Sequence, residues 1–254
     1  MQKNTIVPLL ALIAFAAPVA GAQQRDSLPF MCGERLAFRI RSVKMGNVGK
    51  AVMAMSGPVD IRGTTAMLAS FDASAGVAFL KGSDATRSWF DPDQMTSLRY
   101  EKKERRPFST NNDSVEIYAD RHHWDALGGE SGSVESDHPL DELAFIYYLR
   151  TLNLQPDSLY SFDRHYDKRR PPNTVRVVGH DHVTTPAGEF ATVEYEVTMA
   201  DSRDVKTRDV LTFWISDDHR RLPVRIESMM PVLGKTVMTL ESVATPGCRY
   251  AMSK

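Results

Sequence analysis

Hydrophobic and polar residues alternate with a period of two along much of the chain, most regularly between Val210 and Val243. Leu211, Phe213 and Ile215 share one face, and Leu222, Val224 and Ile226 do the same beyond a polar break. The break, Asp217-Asp218-His219-Arg220-Arg221, cannot easily enter a core, so the pattern predicts a β-hairpin with a charged turn. A register that places Phe213 opposite Ile226 also places Ile215 opposite Val224 and Trp214 opposite Arg225. One face is then dry, and the other pairs an aromatic ring with a guanidinium.

The same alternation recurs upstream. Leu36, Phe38 and Ile40 mark an opening strand with a wet face carrying Arg35, Arg39 and Arg41. Gly46-Asn47 signals a turn, Ala51, Met53 and Met55 form an alternating set, Gly57-Pro58 breaks it, and β-character resumes from Thr64 to Phe71. The stretch from Ala73 to Lys81 reads equally as a short helix or a buried strand. Asp91-Pro92-Asp93 and Asn111-Asn112-Asp113 are turn signals flanking a basic-ended strand from Leu98 to Lys103. Val115, Ile117 and Ala119 alternate again, and the glycine-rich segment Leu127–Asp137 reads as a loop.

One helix stands out. Asp137 or His138 is placed to cap it, Pro139 suits its first turn, and Leu140, Leu143, Ala144 and Tyr147 follow helical spacing towards an end near Leu152. Strands then return: Leu159 to Tyr166, Val175 to Val183, a tight turn at Thr185-Pro186-Ala187-Gly188, and Ala191 to Met199. A turn at Gly234 precedes a last strand with Val237, Thr239, Glu241 and Val243. Ten to twelve strands and one helix imply a mainly β, antiparallel fold, a curved or partly open barrel with the helix packed across it.

Residues 1–22 have the form of an export signal, with Lys3, an apolar run from Ile6 to Ala17, and Ala20-Gly21-Ala22 at the expected cut. The run is too short for a membrane span, and no cysteine at the cut offers a lipid anchor. The expectation is a single β-rich domain over residues 23–254, exported to the periplasm or cell envelope. A formal charge of −1 from 31 basic and 32 acidic residues gives no support for a nucleic-acid partner. The chain has only two cysteines, Cys32 and Cys248. In an oxidising compartment they are expected to pair, which requires the first and last strands to lie side by side.

Several short motifs occur in a set order: Gly33-Glu34-Arg35-Leu36-Ala37-Phe38, Phe71-Asp72, Trp89-Phe90-Asp91, Tyr147-Tyr148-Leu149-Arg150, Thr185-Pro186-Ala187-Gly188-Glu189-Phe190, and Trp214-Ile215-Ser216-Asp217-Asp218 running into Arg221-Leu222-Pro223-Val224-Arg225. In these, between about Phe30 and Val243, the chain resembles the exported bacterial family known as domain of unknown function 3108. The resemblance implies an envelope location and a partly open barrel or clam. It carries no catalytic residues.

Candidate chemistry is sparse. His180 and His182 share a strand face with Asp181 opposite, which is a start for a metal site or a hydrolase but lacks a third ligand. His122-His123 fall on opposite faces if extended, and Asp217-Asp218-His219 occupies an exposed tip where nothing tunes a pKa. No nucleophile elbow, phosphate loop or zinc-protease motif occurs. No catalytic, cofactor or metal residues are therefore assigned. The expected function is non-enzymatic binding of a lipid or other hydrophobic ligand, or of an envelope protein. The cleft would be lined by Trp89, Phe90, Tyr147, Trp214 and Arg225 between sheet and helix. The alternative is an exported hydrolase using His180, His182 and Asp181.

Overall fold

The computed structural model describes residues 28–77, 80–199, 210–230, 233–245 and 247–248. The expected export segment, residues 1–22, and residues 78 and 79 lie outside the described residues. Fourteen strands form one antiparallel sheet among the described residues: β1 (Arg35–Ser42), β2 (Gly46–Ile61), β3 (Thr64–Val77), β4 (Leu80–Asp91), β5 (Thr96–Arg106), β6 (Ser109–Tyr118), β7 (His123–Ala126), β8 (Ser131–Ser133), β9 (Leu159–Phe162), β10 (Asn173–Thr185), β11 (Gly188–Thr198), β12 (Val210–Ser216), β13 (Pro223–Met230) and β14 (Gly234–Ala244). Among the described residues one α-helix, α1 (Glu142–Thr151), separates β8 from β9.

The sheet is two meanders joined at the chain ends. Strands β1 to β8 step outwards on one side, β14 back to β9 on the other, and β1 pairs with β14 at the seam. That seam puts Cys32 beside Cys248, and the two form a disulfide with their Cα atoms 5.0 Å apart. The outer edges, β8 and β9, do not pair, so the barrel stays open. Register shifts in several ladders, at Ala37/Phe38, Ser56/Val59, Trp89/Phe90 and Val177/Gly179 among them, supply bulges that bend and twist the strands into a curve. The segment after β9 crosses the gap: Leu140 N donates to Arg164 O, Lys168 N donates to Ser133 O at 3.3 Å, and Arg169 meets Glu130 at 2.8 Å.

Inside the curve lies α1. Leu143, Ala144, Phe145, Tyr147, Leu149 and Arg150 are all buried, which leaves hardly any wet side, so the helix is wrapped by the sheet instead of resting on one face. Around it pack Leu36, Phe38 and Ile40 of β1, Met53 and Met55 of β2, Tyr195 and Val197 of β11, Phe213 and Ile215 of β12, and Leu240 of β14. A smaller cluster of Tyr100, Val115, Ile117, Trp124 and Val134 serves the β5–β8 flank.

Several expectations from the sequence need correction. The helix is capped by Asp141, not Asp137 or His138, with Asp141 Oδ1 accepting from Leu143 N at 2.9 Å and Ala144 N at 3.0 Å. Pro139 and Leu140 are used across the sheet first: Pro139 O accepts from Ser97 N, and Leu140 bridges to His165. Asn111-Asn112-Asp113 sits inside β6, because the reversal occurs at Pro107-Phe108 between the paired Arg106 and Ser109. Gly57-Pro58 interrupts the ladder as a bulge without ending β2, a place where proline's missing N–H costs no ladder bond. The Leu127–Asp137 loop contains the edge strand β8. Phe213 does face Ile226 and Trp214 does face Arg225, but a bulge after Trp214 brings Ile215 opposite Pro223 instead of Val224. On β14 the buried face is Thr236, Met238 and Leu240, one position out of step with the residues singled out from the sequence.

Candidate functional site

Between α1 and the two meanders the structure leaves a hollow of about 220 Å³. One wall is a single row across the sheet, in register from strand to strand: Met53 pairs with Phe71, Phe71 with Thr86, and Thr86 with Lys102. The facing wall is a second row, Phe213 to Ile226 to Met238, extended by Leu211, Met199 and Met230. Leu143 and Ile146 of α1 form the roof. Met199, Leu211, Met230 and Ile146 are only partly buried, so the hollow communicates with solvent.

The lining grades from apolar to polar along the first row. On β4, the inward positions are Asp84, Thr86, Ser88 and Phe90, an alternation in which three of four side chains are polar. Thr86 donates to Asp84 Oδ1 at 2.6 Å. Lys102 Nζ donates to Glu142 Oε2 at 3.0 Å, and Tyr100 Oη donates to Glu142 Oε1 at 3.1 Å. Burial raises the Asp84 carboxyl above its ordinary pKa. Thr86 and Lys102 oppose that rise, while Glu142 and Glu104 add to it. Deeper in, Ser88 of β4 and Ser97 of β5 donate to Asp141 Oδ2 at 2.6 and 2.7 Å. Burial pushes that carboxyl to about 6 even so.

The five residues expected to line one cleft fall in three places, and none of them lines this hollow. Phe90 and Tyr147 pack in the core with Phe30, at ring separations of 5.1 to 6.1 Å. Trp89, next to Phe90 on an extended strand, faces the other way and lies under Arg99, 5.6 Å from its ring. Trp214 is on the face opposite Phe213, covered by the Arg225 guanidinium 4.6 Å from its ring and bonded through Nε1 to Asp181 Oδ2 at 3.1 Å. A signal for the true lining was present in the sequence. Carrying Phe90's parity backwards past Ser88 gives Thr86 and Asp84, polar lining residues where an inward strand face wants apolar ones.

The other histidines and acids stay apart from the hollow. His180, His182 and Asp181 are exposed on β10, and His180 Nδ1 lies 3.5 Å from Asp217 Oδ2. His122 ends a short 3-10 turn and faces Asp137 at 3.7 Å, while His123 bonds Asp125 at 2.9 Å. Asp218 Oδ1 accepts from the Arg220 and Arg221 amides and from Ser216 Oγ, which accounts for the hairpin tip as turn chemistry. Among the described residues no group of three or more His, Cys, Asp or Glu is disposed to hold a metal ion. A second, wider groove near Arg39, Lys50 and Lys81 is polar and open, with Arg39 paired to Glu241.

Four of the sequence motifs converge at the far end of α1. Arg150 donates to both oxygens of Glu34 at 2.6 and 2.9 Å and to the carbonyls of Pro29, Arg220 and Arg221. Arg221 answers by donating to Arg150 O, Leu152 O and Tyr195 Oη. Phe30, Phe90 and Tyr147 stack against the knot. The roles legible for these motif residues are thus architectural: they pin the helix end to the first strand and to the β12–β13 tip.

Fold and hollow together define an open antiparallel barrel wound around an internal helix, with an apolar chamber polar at one end. The chain belongs to the family described as "Protein of unknown function (DUF3108)", whose model matches residues 37–241. A crystal structure of a β-barrel-like protein of the domain of unknown function DUF1849 from Brucella abortus shares the fold. It superposes with a TM-score of 0.56 at 10% identity, over 85% of this chain and 99% of that one. A protein from Bacteroides fragilis proposed to be exported, with a YmcC-like fold, gives a TM-score of 0.34 at 13% identity over 85% and 98% of the two chains. A protein from Parabacteroides distasonis proposed to be a lipoprotein gives 0.30 at 11% identity, over 84% and 96%. No curated protein matches the chain.

Proposed function

We propose that this protein is an exported, non-catalytic binding protein of the cell envelope, and that the hollow beneath α1 receives one slim hydrophobic ligand. The observation that carries this reading is the continuous apolar lining contributed by both meanders and the helix, reaching partly exposed methionines at its rim. Methionine side chains are flexible and polarisable, and a surface rich in them adapts to occupants of varied shape. At about 220 Å³ the chamber is smaller than a drug-sized pocket, which favours a single chain over a bulky ring system. The export pattern of residues 1–22 and the Cys32–Cys248 disulfide support an oxidising extracytoplasmic location. Hydrolysis by His180, His182 and Asp181 has less behind it, since their exposure leaves no enclosed place for a reaction.

The test is native mass spectrometry of protein isolated from the periplasm, together with titration by a neutral medium-chain alcohol. Binding is expected for the wild type and is expected to be lost in Ile146→Trp, where the indole fills the chamber. Absence of any co-purifying apolar molecule, with no uptake of the alcohol, would overturn the reading. Equal binding by Ile146→Trp would place the ligand elsewhere.

A further inference from the structure

We propose that the end of the barrel carrying the β1–β2 and β5–β6 turns docks on an anionic phospholipid bilayer. The inference stands on this rim alone and does not require the hollow to be filled. In an antiparallel meander alternate turns fall at the same end. Ser42 at the end of β1 pairs with Gly46 of β2 and Thr236 of β14, Met230 pairs with Gly234, and Arg106 pairs with Ser109. The β1–β2, β5–β6 and β13–β14 reversals and the start of β12 therefore share one rim.

That rim is apolar at its points. Val43, Met45, Phe108, Val210 and Met229 stand on it, five of the ten large hydrophobic side chains exposed among the described residues. Phe108 is 90% exposed, at the tip of a two-residue reversal where hairpin chemistry favours small or polar residues. Pro107 fixes the backbone beside it, so the ring is held outwards. The β1–β2 turn is equally well held. Ser42 Oγ accepts from Lys44 N and Met45 N at 3.2 Å each and donates to Leu233 O at 2.7 Å, while Val43 N donates to Lys235 O. Apolar side chains fixed on separate turns can enter the lipid interface together without disturbing the core.

Charge at the rim identifies the partner. The chain as a whole balances 31 basic against 32 acidic residues, yet residues 41–50 and 103–112, which build two of these turns, hold six basic residues and one acidic. The acid, Glu104, is engaged by Arg106 at 2.6 Å, while Lys44, Lys103 and Arg105 are exposed. Apolar points set among cations match a bilayer bearing anionic headgroups, where burial and electrostatic attraction act together. A second copy of the chain would bring the same positive charge to the same place and be repelled. The partly buried Met199, Leu211 and Met230 that open the hollow lie at this end too, so docking would hold its mouth against the lipid.

The experiment sediments protein purified from the periplasm with vesicles of phosphatidylcholine alone or mixed with phosphatidylglycerol. The wild type is expected to bind the mixed vesicles, and high salt should weaken that binding. Phe108→Ser should weaken it about tenfold, and Lys44→Gln and Arg105→Gln about fivefold each. These side chains are exposed, so the variants should fold as the wild type does. Met31→Ser, exposed at the opposite end of β1, is the control and should bind unchanged. The added fluorophore of Phe108→Trp should shift to the blue on mixed vesicles only. No binding of the wild type, or binding untouched by Phe108→Ser, would overturn the proposal. A dimer in light scattering that is lost in Phe108→Ser, with no vesicle binding, would overturn it in favour of a second copy covering the rim. Vesicle binding that depends on Phe108 would support the proposal even where no apolar molecule co-purifies, which separates it from the reading of the hollow.

Discussion

The guanidinium of Arg150 and the carboxylate of Glu34, 116 residues apart in the chain, form a two-pronged ion pair shut away from water. Their side chains are 0% and 4% exposed. Taking either charge out of water alone is costly, and the pair is tolerable only because every strong donor and acceptor is met. Arg150 also satisfies three backbone carbonyls, of Pro29, Arg220 and Arg221. Glu34→Gln or Arg150→Met should each destabilise by about 3–5 kcal/mol, because each leaves its partner buried and uncompensated. The double variant Glu34→Gln/Arg150→Met should cost clearly less than the sum. Urea unfolding midpoints of the four proteins measure this coupling; strict additivity would mean the pair acts as two independent groups.

The disulfide closes a loop of 216 residues' separation across a seam that the β1–β14 ladder already holds. The chain-entropy argument assigns it about 5 kcal/mol, acting mainly on the unfolded state. The double variant Cys32→Ser/Cys248→Ser should therefore keep its far-UV circular dichroism while its Tm falls by about 10–20 °C, at roughly 2–4 °C per kcal/mol for a domain of this size. Loss of native spectrum at room temperature would mean that the ladder alone cannot hold the seam.

Gly49 on β2 faces Ala75 of β3, and a Cβ added there would come within 2.0 Å of the Ser74 carbonyl oxygen and 2.7 Å of Ala75 Cα. Both are backbone atoms, so no rotamer change relieves the contact, and the two strands must separate. Gly49→Ala should cost at least about 2 kcal/mol, at the upper side of ordinary overpacking. Gly128→Ala, with open space around its Cβ, is the control and should be near neutral. Equal midpoints for the two variants would show that the β2–β3 hairpin yields more easily than its ladder implies.

Much of this architecture was legible in side-chain alternation. Leu36, Phe38 and Ile40 face inward as their spacing implies, and the Thr185–Gly188 turn joins β10 to β11 as its proline and glycine imply. The paired termini followed from two cysteines alone. What alternation could not supply was the competition between local preference and ladder. Asn111 and Asp113 prefer turns, yet Val115 and Ile117 commit the segment to β6 and the reversal moves to Pro107-Phe108. Pro139 looked like a helix start because nothing local shows that Ser97 takes its carbonyl. The five residues expected in one cleft lie apart for a reason the sequence did contain: Trp89 and Phe90 are adjacent on a strand and point to opposite faces. The hollow itself depends on β2–β5 curving round to face β12–β14, a long-range relation with no local signature.

Two buried titratable groups on either side of the helix start have opposite pH dependence. Asp141 is held up at about 6 by burial, against the bonds from Ser88, Ala144 and Ser97. His165 is pushed down to about 4, again by burial first, with Nδ1 accepting from Asp167 N at 3.0 Å. Between about pH 3.8 and 6 the folded protein binds the Asp141 proton and the unfolded chain does not. That stabilisation is therefore present in acid and lost as pH rises through 6. For His165 the unfolded chain takes the proton first, near 6.5, so stability present above 6.5 is lost as pH falls through 4. Each group is worth about 3 kcal/mol over its window, at 1.36 kcal/mol per unit, and in the wild type the two largely cancel. Asp141→Asn should gain on the wild type as pH rises from 4 to 6, by about 3 kcal/mol. His165→Gln should gain by a similar amount as pH falls from 6.5 to 4. Unfolding free energies of the three proteins at pH 4, 5, 6 and 7 give both differences free of the background from exposed carboxylates. Two flat differences, or two slopes of the same sign, would show that these groups do not hold their charges as their surroundings dictate.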